Sequence, residues 1–80
     1  MSHTPHELSA EFPDKVAAIS RLKQADAHFA RLADRYHAVN REIHRIEAEI
    51  APASDETAET LKKERLHLLD QIAALLSKAA

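Results

Sequence analysis

Six histidines in an 80-residue chain are the side chains most able to do chemistry. His37 and His44 lie seven residues apart and would share one helix face. A metal ion held by one helix takes ligands about one turn apart, at i and i+3 or i+4. Seven residues separate the two rings by ~10.5 Å along a helix axis, too far for one ion. His3, His6 and Glu7 are better spaced but stand in the first turn, where fraying is expected. No metal site, cofactor or catalytic group is therefore expected, and the histidines read as exposed helix residues. If His28, His37, His44 or His67 met a partner, association would depend on pH.

The second chemical pattern is cationic. Arg31, Arg35, Arg41 and Arg45 form two i,i+4 pairs, the spacing of a phosphate- or RNA-contacting face. Asp34, Glu42, Glu47 and Glu49 are interleaved with them, and no stacking aromatic accompanies them. A solvated helix face is the favoured reading, and no nucleic-acid partner is expected. A small nucleic-acid-associated regulator using this Arg-bearing face stands as the alternative.

Composition narrows the remaining classes. The chain has no Cys, so neither a disulfide scaffold nor a thiolate zinc site is available. It has no Gly, which removes phosphate-cradling loops and nucleophile elbows, since these need backbone that only Gly tolerates. Net charge is −2, and residues 1–26, 27–50 and 51–80 are each close to balance. No segment has the basic excess that draws nucleic acid or an anionic membrane. No apolar run approaches the ~20 residues that span a bilayer, and residues 1–5 lack the pattern of a signal peptide. A soluble cytoplasmic protein, with no membrane partner and no enzymatic activity, is the expectation.

The elements that position these residues follow from propensity and punctuation. Ala, Leu, Glu, Lys and Arg favour helix throughout, and Pro5, Pro13 and Pro52 break it. Thr4-Pro5-His6-Glu7 has the form of a capping box with Pro at the first helical position. A short helix is predicted near 5–11 and a second from Pro13 to about Gln24. Asp26 is a candidate cap for the next helix, although a helix continuous through Gln24–Ala27 remains open.

Phe29, Leu32, Tyr36, Val39, Ile43, Ile46 and Ile50 are then spaced alternately by three and four, one apolar seam of three heptads. Ala51–Ser54 breaks the pattern at Pro52, and Ser54 or Asp55 can cap a third helix. That helix, to about Lys78, carries Ala58, Leu61, Arg65, Leu68, Ile72, Leu75 and Ala79 at the same alternation, with Leu69 and Leu76 beside them. The two arms, 27–50 and 55–78, are equal in length at ~36 Å each, and a short loop forces them antiparallel.

The predicted fold is all-α: an antiparallel, coiled-coil-like helical hairpin at 27–78 with its loop at 51–54, and a short N-terminal helical extension at 1–26, in one domain of residues 1–80. Facing residues sum to roughly 105, so Ile43 meets Leu61, Leu32 meets Ile72, and Glu42 comes near Lys62 or Lys63. The seam expected to carry interaction is Phe29, Leu32, Tyr36, Val39, Ile43, Ile46, Leu61, Leu68, Ile72 and Leu75. Phe12, Arg65, Leu69 and Leu76 are the candidates for contacting a partner. Arg65 is a charge at a seam position, which either fixes register or snorkels to water. Leu8, Phe12, Val16, Ile19 and Leu22 need cover, from the open end of the hairpin or from another chain. Self-association is expected, with a dimer favoured, since so small a core seldom stands alone.

The run Ile19-Ser20-Arg21-Leu22-Lys23, then Ala27-His28-Phe29-Ala30-Arg31-Leu32, then Leu61-Lys62-Lys63-Glu64-Arg65-Leu66, resembles the YdcH-like family of small bacterial proteins over about residues 12–76. His28-Phe29-Ala30-Arg31-Leu32 is its most specific part. The resemblance implies a helical hairpin with no established biochemical activity, and supplies no catalytic residues. The function expected is helix–helix interaction with a protein partner.

Overall fold

A computed structural model describes residues 6–49 and 52–79. Thr4, Pro5 and Ile50, named above as cap and seam residues, lie outside the described residues, as does the side chain of Ala79. Among the described residues, four α-helices succeed one another: α1 (Leu8–Glu11), α2 (Val16–Ala25), α3 (Ala27–Glu47) and α4 (Asp55–Ala79), with one turn of 3-10 helix at Pro13–Lys15 between the first two. No strand occurs among the described residues. The fold is all-α, with α3 packed against α4 as a helical hairpin.

Each boundary has a local cause. Asp26 leaves helical geometry (φ −129°, ψ 107°), and its carboxylate accepts hydrogen bonds from the backbone N–H of His28 at 2.9 Å and of Phe29 at 3.2 Å. This satisfies two of the amides that a helix start leaves open. The chain is therefore broken at Asp26, and α2 packs against α3 instead of continuing into it. Asp26→Ala should lower stability by about 1 kcal/mol, the usual loss for such a cap, measurable as a lower midpoint in urea unfolding. An unchanged midpoint would mean that the α2–α3 corner is held by packing alone.

Helix α3 ends at Glu47, before the expected Ile50, because Glu49 enters the left-handed region at φ 61°. The Ala48 N–H closes on the His44 carbonyl and the Glu49 N–H on the Ile46 carbonyl. Gly usually serves at such a terminus, and a chain without Gly gives the position to Glu. Helix α4 starts from Ser54, whose hydroxyl accepts from the Thr57 N–H at 3.1 Å. Asp55 and Glu56 occupy its first turn, where the helix dipole favours negative charge.

The longest dimension is 39 Å. The 25 residues of α4 alone measure ~38 Å at 1.5 Å per residue. The two long helices thus lie side by side rather than end to end. Leu8, Ile19, Phe29, Ala33, Tyr36, Val39, Ile43, Leu68, Ile72 and Leu76 form one buried cluster. It draws on all four helices, so the N-terminal segment covers the hairpin from within the chain. Each such large apolar side chain, once fully buried, contributes roughly 1.5–3 kcal/mol.

Candidate functional site

On α3, the seam residues Phe29, Tyr36, Val39 and Ile43 are buried, while Leu32 and Ile46 are only half-buried. Ala33 and Asn40 are buried in their place. The buried face is therefore Phe29, Ala33, Tyr36, Asn40 and Ile43 together with Val39, broader than a two-helix seam. A helix with two neighbours needs this third residue per heptad. Helix α2 packs against α3 beside α4, and Asn40 meets Arg65 of α4.

On α4, Leu68 and Ile72 are buried, and Leu61, Leu69 and Leu75 are half-buried. Leu76, expected beside the seam as a partner contact, is 1% exposed and belongs to the core. Its place has its cause in spacing: Leu68, Ile72 and Leu76 are four apart, the drift of a straight helix, whereas a strict heptad would reach Leu75. Phe12, the aromatic proposed for a partner, is half-buried and packs against the same core.

A polar layer crosses the hairpin midway. Arg65 is half-buried, and its Nη1 donates to Asn40 Oδ1 at 3.0 Å. These two residue numbers sum to 105, the centre of the register expected from the seams. Asn40 is 2% exposed, and a buried amide needs such a partner. One turn away, the Tyr36 hydroxyl donates to the His6 carbonyl at 2.6 Å, tying the N-terminal segment to α3. Burial, then the nearby charge of Glu11, pushes the Tyr36 phenol above its ordinary value, with Arg65 opposing and Glu7 adding to the rise. Tyr36 stays protonated and remains a donor well into alkaline solution. The stability linked to this raised value is present below the unfolded-state value near 10 and is lost as pH rises through the folded one.

The outer surface carries the charges. Arg35 donates to both carboxylate oxygens of Glu64, at 2.6 and 2.9 Å, and this bond holds the guanidinium more firmly protonated. Lys62 lies 3.5 Å from Glu47, rather than reaching the Glu42 expected from the register. Both are exposed pairs, and such pairs add little stability. Arg31, Arg41 and Arg45 are exposed, as are His28, His44 and His67. Among the described residues, no three His, Asp or Glu side chains come together to hold a metal ion. No helix among them is long and apolar enough to cross a membrane.

One apolar stripe on α4 runs along the edge of the core, against which its member Leu69 packs. Leu66 is 61% exposed, and Leu69 and Ala73, three and seven residues on, are half-buried along the same face. Among the described residues, Val16 on α2 is the other large exposed apolar residue. The seam spacing leaves Leu66 outside the expected interaction residues and passes over Asn40 and Ala33. The signal for the last two is a second 4-3-4 alternation, 29, 33, 36, 40 and 43, hidden because one member is polar and another small.

The fold and surface define a small all-helical hairpin protein. Residues 29–76, more than half of the chain, match the family model described as Protein of unknown function (DUF465). The chain belongs to this family, which includes the YdcH-like small proteins. Neither the comparison with curated proteins nor that with solved structures gives a significant match.

Proposed function

We propose that the chain is a non-catalytic interaction module of the cytoplasm that works by helix-on-helix packing, with a second copy of itself as the first partner and a dimer as the favoured assembly. The observation that carries this reading is the stripe of Leu66, Leu69 and Ala73 on α4, led by a leucine that is 61% exposed. The stripe lies on a regular, well-packed helix, so it is a preformed face for another helix to bury, in the manner of an amphipathic helix in a groove. Apolar area of this kind, once shielded between copies, adds the burial that a chain of this size lacks alone.

Sedimentation across a range of concentrations tests the proposal. The natural chain should show a species heavier than 8.9 kDa that grows with concentration. Leu66→Glu should return it to the monomer while leaving helicity unchanged, because an exposed substitution shifts stability by no more than about 0.5 kcal/mol. A monomer at every concentration would overturn the dimer. Micromolar RNA or DNA binding that weakens steeply with salt would instead favour a regulator acting through Arg31, Arg35, Arg41 and Arg45.

A further inference from the structure

Residues 6–12 lie against the core as a strap tied to α3. Helix α1 is a single turn with no side-chain cap, and Leu8 is its one buried residue. The Tyr36 hydroxyl holds the His6 carbonyl at 2.6 Å, and Phe12 rests half-buried at the edge of the core. Two features oppose this hold. A one-turn helix does not sustain itself in water. His6 also sits at φ 62°, a left-handed conformation that disfavours residues other than Gly. The strap lies outside residues 29–76, the part shared with the family.

The seat beneath it has a defined chemistry. Tyr36 supplies buried apolar surface, and Asn40 and Arg65 supply the polar layer one turn away. Glu7 borders a polar recess with Asp34, His37, Asn40 and Arg41. The seat fits a short helical segment that offers one leucine, a free carbonyl just before it and flanking carboxylates. Residues 6–12 of this chain have that chemistry.

We propose that residues 6–12 are a detachable strap, and that the seat it leaves over Tyr36 and Asn40 takes the same segment of a second copy. This site is separate from the Leu66 stripe, so Leu66→Glu leaves it intact and the two proposals stand or fall apart from each other.

Tyr36 is the one tyrosine, and there is no Trp, so ultraviolet titration of the phenol reads this seat alone. The charged and titratable groups around the phenol are Glu7 and Glu11 from the strap and Arg65 from α4, with the His37 ring edge-on at 6.2 Å on its own helix. With the strap closed, the Tyr36 midpoint lies above the ordinary value. In the full chain, Leu8→Gln should release the strap and bring the midpoint down toward the ordinary value of about 10. Leu8→Ala is the milder companion, and neither variant adds a charge beside Tyr36. A synthetic peptide of residues 6–16, in millimolar excess, should restore the raised midpoint, and the same peptide carrying Leu8→Gln should not. The proposal is overturned by an unchanged midpoint in both variants, or by a lowered midpoint that the peptide does not restore. Loss of the helical circular dichroism signal in both variants would also overturn it, since the hairpin would then not hold without the strap.

Discussion

Ile43→Asp should unfold most of the chain at 25 °C or bring it close to that point. Ile43 is 1% exposed in the shared core of the hairpin, and the antiparallel register sets Leu61 opposite it. An aspartate there is a buried charge without a partner, which costs roughly 3–5 kcal/mol. A chain of this length has a total stability of only ~4–12 kcal/mol at the usual 0.05–0.15 per residue. Each kcal/mol moves the melting temperature of so small a domain by ~4–8 °C. Thermal melts followed by circular dichroism should therefore shift down by more than ~12 °C. Ile43→Val, which removes one methylene, should cost only about 0.5–1.5 kcal/mol. A melting temperature unmoved by the aspartate would mean that the middle of α3 has no buried face.

The second large effect is expected at Phe29. It is fully buried, and its backbone N–H is one of the two that Asp26 caps. It therefore sits where α2 turns into α3, close to Leu76 at the far end of α4 by the register. Phe29→Ala removes a ring that the surrounding helices cannot refill, a loss of roughly 3–5 kcal/mol. Its signature differs from that of Ile43. Amide exchange should quicken first in α2 and the start of α3, since these depend on the corner, and only later near Ile43. Uniform quickening along the chain would show that α2 unfolds with the hairpin as a single unit. A variant as stable as the natural chain would contradict the packing of the corner.

The hairpin is largely legible in residue spacing. Phe29, Tyr36, Val39 and Ile43 announce α3 because large apolar side chains recur at three and four, and Leu68 and Ile72 do the same for α4. Asp26, Ser54 and Pro52 mark the breaks through their side-chain chemistry. What spacing misses depends on a third neighbour. Ala33 and Asn40 are buried on a helix that packs against both α2 and α4, and neither residue is hydrophobic and large enough to stand out. Leu76 outranks Leu75 because the buried face of α4 follows a straight helix and not a strict heptad. The tie between Tyr36 and His6 joins residues 30 apart in sequence. It uses a backbone carbonyl, a group every residue has, so no residue type could signal it. The left-handed turn at Glu49 is hidden for the opposite reason, since the usual signal, Gly, is absent from the chain.

Interaction through helix faces requires the two long helices to fold back on each other within one chain, and a distance measurement tests this most directly. The chain has no Cys, so His28→Cys and Ser77→Cys place two spin labels at exposed positions near the start of α3 and the end of α4. Pulsed electron–electron resonance is then recorded on the doubly labelled chain diluted with unlabelled chain. Packed helices lie ~8–10 Å apart, so the hairpin predicts a label separation below ~30 Å that persists on dilution. A continuous rod would set the labels ~74 Å apart at 1.5 Å per residue. That long distance, or a short one that vanishes on dilution, would contradict the intramolecular hairpin.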